Sequence, residues 1–216
     1  RDTALRTALQ RLDAGEDRTT IETATGVVVG VSNASLVVQQ GQISVLMGLS
    51  GSGKSTLLRA ANGLNLVTRG RVLIHDGERQ VDLGKDCDAA TLRRLRRTGV
   101  AMVFQQFGLL PWRTVRENVG LGLELRGESA SERRRIVDEK LQLVGLERWA
   151  ERYGHELSGG MQQRVGLARA FATDAPILLM DEPFSALDPL IRSKLQDELL
   201  ALQARVRKTI LFVTHD

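Results

Sequence analysis

The chain of 216 residues carries 30 Lys and Arg against 26 Asp and Glu, and 42% of it is hydrophobic. That apolar fraction supports a sizeable core and excludes a disordered chain, while a net charge of +4 lacks the one-sided field of a dedicated nucleic-acid binder. A single cysteine, Cys87, excludes an internal disulfide, and no apolar run approaches the ~18–20 residues that span a bilayer. No signal peptide is evident either, so the sequence reads as a reduced, cytosolic domain whose membrane role, if any, comes by attachment. Arg1 in place of Met, and a strand followed at once by His215 and Asp216, predict a piece of a longer chain.

Leu5, Leu9 and Leu12 recur at helical spacing up to Gly15 and predict a short amphipathic helix. A polar stretch, 16–26, follows. Short β-rich runs come next at 27–31, 35–39 and 43–47, the last leading straight into a glycine-rich loop and a helix from Lys54. Further strands are predicted at 71–75 and 100–104, with the basic run RRLRR (93–97) between them. From about 108 to 173 the pattern turns helical. Ser129 and Glu132 form an S-x-x-E cap before a helix with Val137, Leu141 and Val144 on one face. Ser158 caps a second, whose inner face is Met161, Val165, Ala168 and Ala172. ILLMD (177–181) returns as a buried strand. Asp188 and Pro189 open a helix with Ile191, Leu195, Leu199 and Leu202 in register, and 209–214 is the final strand. This pattern predicts an N-terminal extension (1–25), an α/β nucleotide-binding core (26–106 and 173–216) and a helical insert (107–172).

The chemistry begins at GLSGSGKST (48–56), which fits G-x-x-x-x-G-K-[ST] with Gly48, Gly53, Lys54 and Ser55 in place. Glycines let successive backbone N–H groups converge on a phosphate, and the following helix adds its N-terminal partial charge. Ser50, Gly51, Ser52 and Thr56 complete the expected cradle. Lys54 would reach the β- and γ-phosphates, and the Ser55 hydroxyl would ligate Mg²⁺. A dinucleotide fingerprint fails, because Thr56 stands where G-x-G-x-x-G, counted from Gly51, needs glycine. ILLMDE delivers Asp181 and Glu182 at the carboxyl edge of a buried strand, where ligands bind in open parallel sheets. Asp181 is expected to hold Mg²⁺ through water, and Glu182 to act as general base on the attacking water.

With LSGGMQQR (157–164) lying between phosphate loop and carboxylates, the chain resembles the ABC-type ATPases. Gln105 matches that family's Q-loop glutamine, SALD (185–188) its D-loop and His215 its switch histidine, and the motifs run in family order. The resemblance implies a P-loop NTPase, RecA-like core with the inserted helical subdomain and a small antiparallel β portion. It also implies ATP and Mg²⁺ as cofactors. Gln105, Glu182 and His215 are then the catalytic group, with Gln105 also near the metal and His215 on the γ-phosphate. A homodimer formed on ATP binding would place Ser158, Gly159 and Gly160 of one subunit, with Asp188, at the nucleotide held by Lys54 of the other. Ser-Gly-Gly at a helix start is itself an anion site, and a chain with its own phosphate loop has no need of a second.

Closer resemblance is to the ATPase subunits of importers for glycine betaine, proline betaine, choline and related quaternary amines. It is carried by GVVVGVSNASL, GLSGSGKSTLLRAANGL, MVFQQFGLLPWRTVRENV and MQQRVGLARAFATDAPILLMDEPFSALDPLIR, together with the N-terminal extension. It implies permease subunits as partners, indirectly a periplasmic or extracellular solute-binding protein, no nucleic acid, and a peripheral place on the cytoplasmic face of the inner (plasma) membrane. Leu109, Leu110, Pro111 and Trp112 form an apolar patch suited to a permease helix, with core packing the alternative for Trp112. One departure concerns adenine. The family stacks it on an aromatic residue upstream of the phosphate loop, yet the first aromatic here is Phe104, so aliphatic side chains around Val27 to Val29 are expected to cover the base. His75 and His155 read as structural or solvated, and Cys87 as inert.

Rival readings are weaker. A chromosome or DNA-repair ATPase needs a long coiled coil between phosphate loop and signature, and Lys54 and Ser158 are only 104 residues apart. A ribosome-associated tandem ATPase predicts a second cassette after a charged linker.

Overall fold

Alternation along a central strand organises the molecule. In the computed structural model, which describes residues 2–76, 79–84 and 87–215, four parallel strands form one sheet in the order β1 (Ile43–Met47), β6 (Thr209–Thr214), β5 (Ile177–Asp181), β4 (Val100–Val103). On β5, Leu178 and Met180 point to one core and Leu179 to the other. The register sets Asp181 opposite Val213 and Met47 opposite Thr214, so the phosphate loop, the two acids and His215 all leave one edge of the sheet.

The larger core joins that sheet face to α5 (Val115–Arg126), α6 (Ala130–Leu143), α7 (Gly159–Ala172) and the buried side of α8 (Pro189–Val206). The expected inner face of α7 is observed: Val165, Ala168 and Ala172 are buried and Met161 packs against the same cluster. Leu195 and Leu199 are buried on α8 and Ile191 packs beside them; the side chain of Leu202 lies outside the described set. The smaller core, on the other face, gathers Leu58, Val100, Leu179, Leu211 and Val213 around α3 (Lys54–Ala60). Burying one such side chain contributes about 1.5–3 kcal/mol.

Three features differ from the sequence reading. The runs 27–31 and 35–39 are not strands; they have no ladder partner among the described residues, Asn33 between them takes φ 51°, and Gly30 lies against the phosphate loop at Gly53. As a result β1 is an edge strand, with Val45 and Met47 half exposed or more. The polar stretch after Gly15 contains a helix, α2 (Arg18–Thr25), capped by Asp17, which accepts from the Thr20 amide at 3.0 Å, and closed by Gly26 in the left-handed region. Its one buried residue, Ile21, accompanies the buried Ala8 of α1 (Asp2–Asp13). β2 (Leu73–Asp76) pairs antiparallel with an unforeseen β3 (Arg79–Asp82). The basic run 93–97 falls on α4 (Ala89–Arg94) and the π-helical turn Leu95–Gly99, where Arg96 donates to the Asn62 and Gly63 carbonyls.

Candidate functional site

The phosphate loop closes on its own lysine. Gly48, Gly51 and Gly53 all take positive φ, and Lys54 Nζ donates to the Gly48 and Leu49 carbonyls at 2.7 Å each. The ammonium thus stands inside the loop it is expected to share with phosphate. Gly53 is required twice over. Its φ is 96°, and an added Cβ would sit 2.5 Å from the Gly30 carbonyl oxygen, so the 26–42 segment rests directly on the loop. Thr56 faces the same segment, its methyl 3.0 Å from where a Cβ on Gly30 would be. Ser50, Gly51 and Ser52 line the exposed rim.

Behind the loop, α3 meets the end of β5. Ser55 Oγ donates to Asp181 Oδ1 at 2.6 Å, and Arg59 donates to Oδ2 at 3.1 Å. Asp181 has no solvent exposure. A hydroxyl and a carboxylate oxygen held this close are the hard donors that Mg²⁺ prefers, so the residues present fit that ion.

Glu182 is the junction of the site. Its carboxylate accepts from Gln105 Nε2 at 3.2 Å on one oxygen and lies 3.1 Å from His215 Nδ1 on the other. The structure therefore brings the three expected catalytic residues together, and Gln105 meets the acid rather than Ser55 or Asp181 among the described hydrogen bonds. The Glu182 backbone takes φ 48° immediately before Pro183, a conformation costing about 1–3 kcal/mol in a non-glycine residue. Its amide donates to the Val213 carbonyl at 3.0 Å, which pins it to β6. A cleft opens beside it, floored by Ile43, Val45 and Phe212 and walled by α8.

The signature segment starts α7. Ser158 Oγ accepts from the Met161 amide at 3.4 Å, Gly159 faces open space, and a Cβ on Gly160 would lie 3.0 Å from the Ala186 carbonyl oxygen. Asp188 serves as the N-cap of α8, accepting from the Ile191 amide at 3.0 Å. Ser129 caps α6, but the reciprocal capping box lies at Thr114 and Glu117, where the sequence reading had none.

Three positioning residues lie within the quoted stretches, Gln163 inside LSGGMQQR itself, but the motifs assign them no role, because each is polar and sits on a helix's inner face where local spacing does not give its partner. Gln163, 1% exposed, donates to the Glu182 carbonyl at 3.1 Å and accepts from the Ala186 amide at 2.9 Å. Arg169 donates to the Phe107 and Gly108 carbonyls at 2.7 and 2.6 Å, where both residues have positive φ, and burial pushes its guanidinium pKa down. Asn118, fully buried, accepts from the Leu110 amide and donates to the carbonyls of Leu110, Arg113 and Thr114. Together these two hold the loop after Gln105. In that loop Leu109 packs against the core, whereas Trp112 is 71% exposed, so its alternative reading as a core residue fails.

The remaining singletons are bland. His75 and His155 are exposed, the latter stacked on Tyr153. Burial and the Asp88 charge raise the Cys87 thiol pKa, a shift away from the thiolate form that reactive cysteines need. Among the described residues no helix is long and apolar enough to cross a membrane.

Comparison with known proteins bears on the family and the fold. The glycine betaine/proline betaine transport system ATP-binding protein ProV of Escherichia coli is 53% identical over 209 residues, 97% of this chain and 51% of its own. The glycine betaine transport ATP-binding protein OpuAA of Bacillus subtilis is also 53% identical, with 97% and 49% covered. The chain spans about half the length of these curated relatives. A dimeric structure of MJ0796, described as a bacterial ABC transporter cassette, superposes with a TM-score of 0.80 at 40% identity, covering 87% of this chain and 80% of that one. A second dimeric structure of MJ0796, in a post-hydrolysis state with ADP and Pi, matches equally well. The family model described as ABC transporter matches residues 31–185, and the chain belongs to that family.

Proposed function

We propose that the chain is the ATP-hydrolysing subunit of an importer for glycine betaine, choline or proline-type compatible solutes. The observation that carries the ATPase reading is the Glu182 carboxylate, flanked by Gln105 and His215 at the edge where the phosphate loop emerges. The solute class rests on the names of the relatives, ProV and OpuAA.

In this reading the loop amides, Lys54 and the α3 N-terminus bind the β- and γ-phosphates. Mg²⁺, held by Ser55 and Asp181, would neutralise developing charge on the transferred group. Glu182 orients the attacking water and takes its proton as the new P–O bond forms and the bond to the ADP oxygen breaks. Gln105 fixes one carboxylate oxygen, and His215 on the other contacts the γ-phosphate. Ser158 to Gly160 of a second copy, with Asp188, complete the site from the far side of a nucleotide-closed dimer. The exposed Trp112 and neighbouring Pro111 meet the permease, placing the chain peripherally on the cytoplasmic membrane face, and Gln105 relays nucleotide state to that loop. Residues 26–106 and 173–216 act as the nucleotide-binding core, with 107–172 as the helical part that moves against it.

The test is uptake of labelled choline, glycine betaine, proline betaine and carnitine, with an amino acid control. Cells would express the full-length gene with its permease, beside a Lys54→Ala version. Quaternary amine uptake abolished by Lys54→Ala is expected. Hydrolysis by the purified protein without any such uptake refutes the solute class and leaves the ATPase.

A further inference from the structure

Ser55 and Arg59 stand four residues apart on α3, hence on one helix face, and grip opposite oxygens of the same buried carboxylate. The arrangement is not a structural arginine fork. A fork would set two guanidinium nitrogens on both Asp181 oxygens, but the Ser55 hydroxyl occupies Oδ1. The Arg59 Nε is buried and, among the described residues, has no partner. What Arg59 supplies is therefore mainly a positive charge, delivered through one donor to an acid that has no water of its own.

We infer that Arg59 is a built-in cation that compensates Asp181 while the divalent ion is absent, and that it thereby limits how tightly the site holds that ion. This rests on Ser55 and Asp181 being the magnesium ligands. An uncompensated buried charge destabilises a fold strongly, so the metal-free protein gains from Arg59. A divalent cation would relieve the same charge. The more of the compensation Arg59 already provides, the less the cation adds, and by linkage the stability lost without Arg59 returns as tighter cation binding. Arg59 is a positioning residue here and touches no reacting atom.

The measurement is equilibrium binding of a fluorescent, non-hydrolysable ATP analogue, in excess EDTA and in excess Mg²⁺. The ratio of the two dissociation constants reports what the metal contributes. Arg59→Met and Arg59→Gln should enlarge that ratio about tenfold, and Arg59→Lys should leave it near the wild-type value. The metal-free melting temperature should fall in the two neutral variants, with a larger recovery on adding Mg²⁺ and analogue. Arg59→Gln keeps an amide donor for Oδ2 and serves if Arg59→Met does not fold. An unchanged or smaller ratio in the neutral variants overturns the inference. Asp181→Asn separates the two levels: if it retains the wild-type ratio, the magnesium-ligand reading itself is wrong.

Discussion

Replacing Gln163 by Met should slow hydrolysis without weakening nucleotide binding. The substitution keeps length and apolar packing but removes the amide that ties α7 to the Glu182 carbonyl and the Ala186 amide. The Glu182 carbonyl retains its bonds from Ser185, at 3.1 Å from Oγ and 3.3 Å from the amide, so it is not orphaned. The Ala186 amide loses the partner it has at 2.9 Å. The Nε2 bonds to the Glu182 carbonyl and to Ser185 Oγ, at 3.4 Å, are lost and one donor is left to find water, which together cost about 2–3 kcal/mol. That matches the ~1–3 kcal/mol stored in the left-handed Glu182 backbone, so the residue becomes free to relax and swing its carboxylate from Gln105 and His215. A displacement worth 1.4–2 kcal/mol in the transition state lowers kcat roughly 10–30-fold. The assay is steady-state ATP hydrolysis across nucleotide concentration, paired with urea unfolding. A kcat within twofold of wild type, despite the expected stability loss, would refute the positioning role; so would a rise in KM with kcat intact.

Two further outcomes follow from the loop. Gly53→Ala places a side chain where φ is 96° and the Gly30 carbonyl is 2.5 Å away, adding about 1–2 kcal/mol of backbone strain before any clash. Calorimetric titration should show nucleotide affinity reduced at least about tenfold, and undiminished affinity would mean the 26–42 segment is not seated on the loop. Because Val28 is 69% exposed and no aromatic residue precedes Phe104, hydrolysis of ATP and GTP should proceed with similar kcat/KM; a strong preference for ATP would show that something other than Val27 to Val29 recognises the base.

What the sequence disclosed and what it hid divide along a physical line. The phosphate loop, Asp181 and Glu182 stand out in the sequence because phosphate and metal chemistry demands fixed residue types beside a strand end or helix start, whereas Gln105, Ser158 and His215 are picked out by their match to the motifs of the ABC family. The α7 and α8 faces were legible because burial imposes helical spacing. By contrast, 27–31 and 35–39 read as strands from β-branched content alone. Strand propensity expresses fit to a partnered surface, and here no partner strand is present among the described residues. α2 was hidden because Ile21 is its one buried residue, so the signal lay in its caps, Asp17 and Gly26, rather than in any apolar period. Gln163, Arg169, Asn118 and Arg59 were hidden for a different reason. Each works through a tertiary contact with backbone or with an acid far away in sequence, and no local spacing encodes that.

The contacts of α7 bear on how a second copy could influence chemistry at the first. Its N-terminus, Ser158 to Gly160, is exposed or half-buried, and a Cβ on Gly159 would meet open space. One turn further along, Gln163 holds the backbone of Glu182 from inside; two turns beyond, Arg169 holds the carbonyls that follow Gln105. A 14-residue helix whose inner face is packed from Val165 to Ala172 is expected to shift as one unit. In the proposed dimer, a phosphate of the partner's nucleotide drawing on the helix start would therefore pull on Gln163 and Arg169 together, the first bonded to the Glu182 main chain and the second to the loop that follows Gln105. Under that proposal the coupling needs no separate relay, since one packed helix would have its outward end at the partner's nucleotide and its inward side chains on the backbone of Glu182, the proposed general base, and of the loop after Gln105.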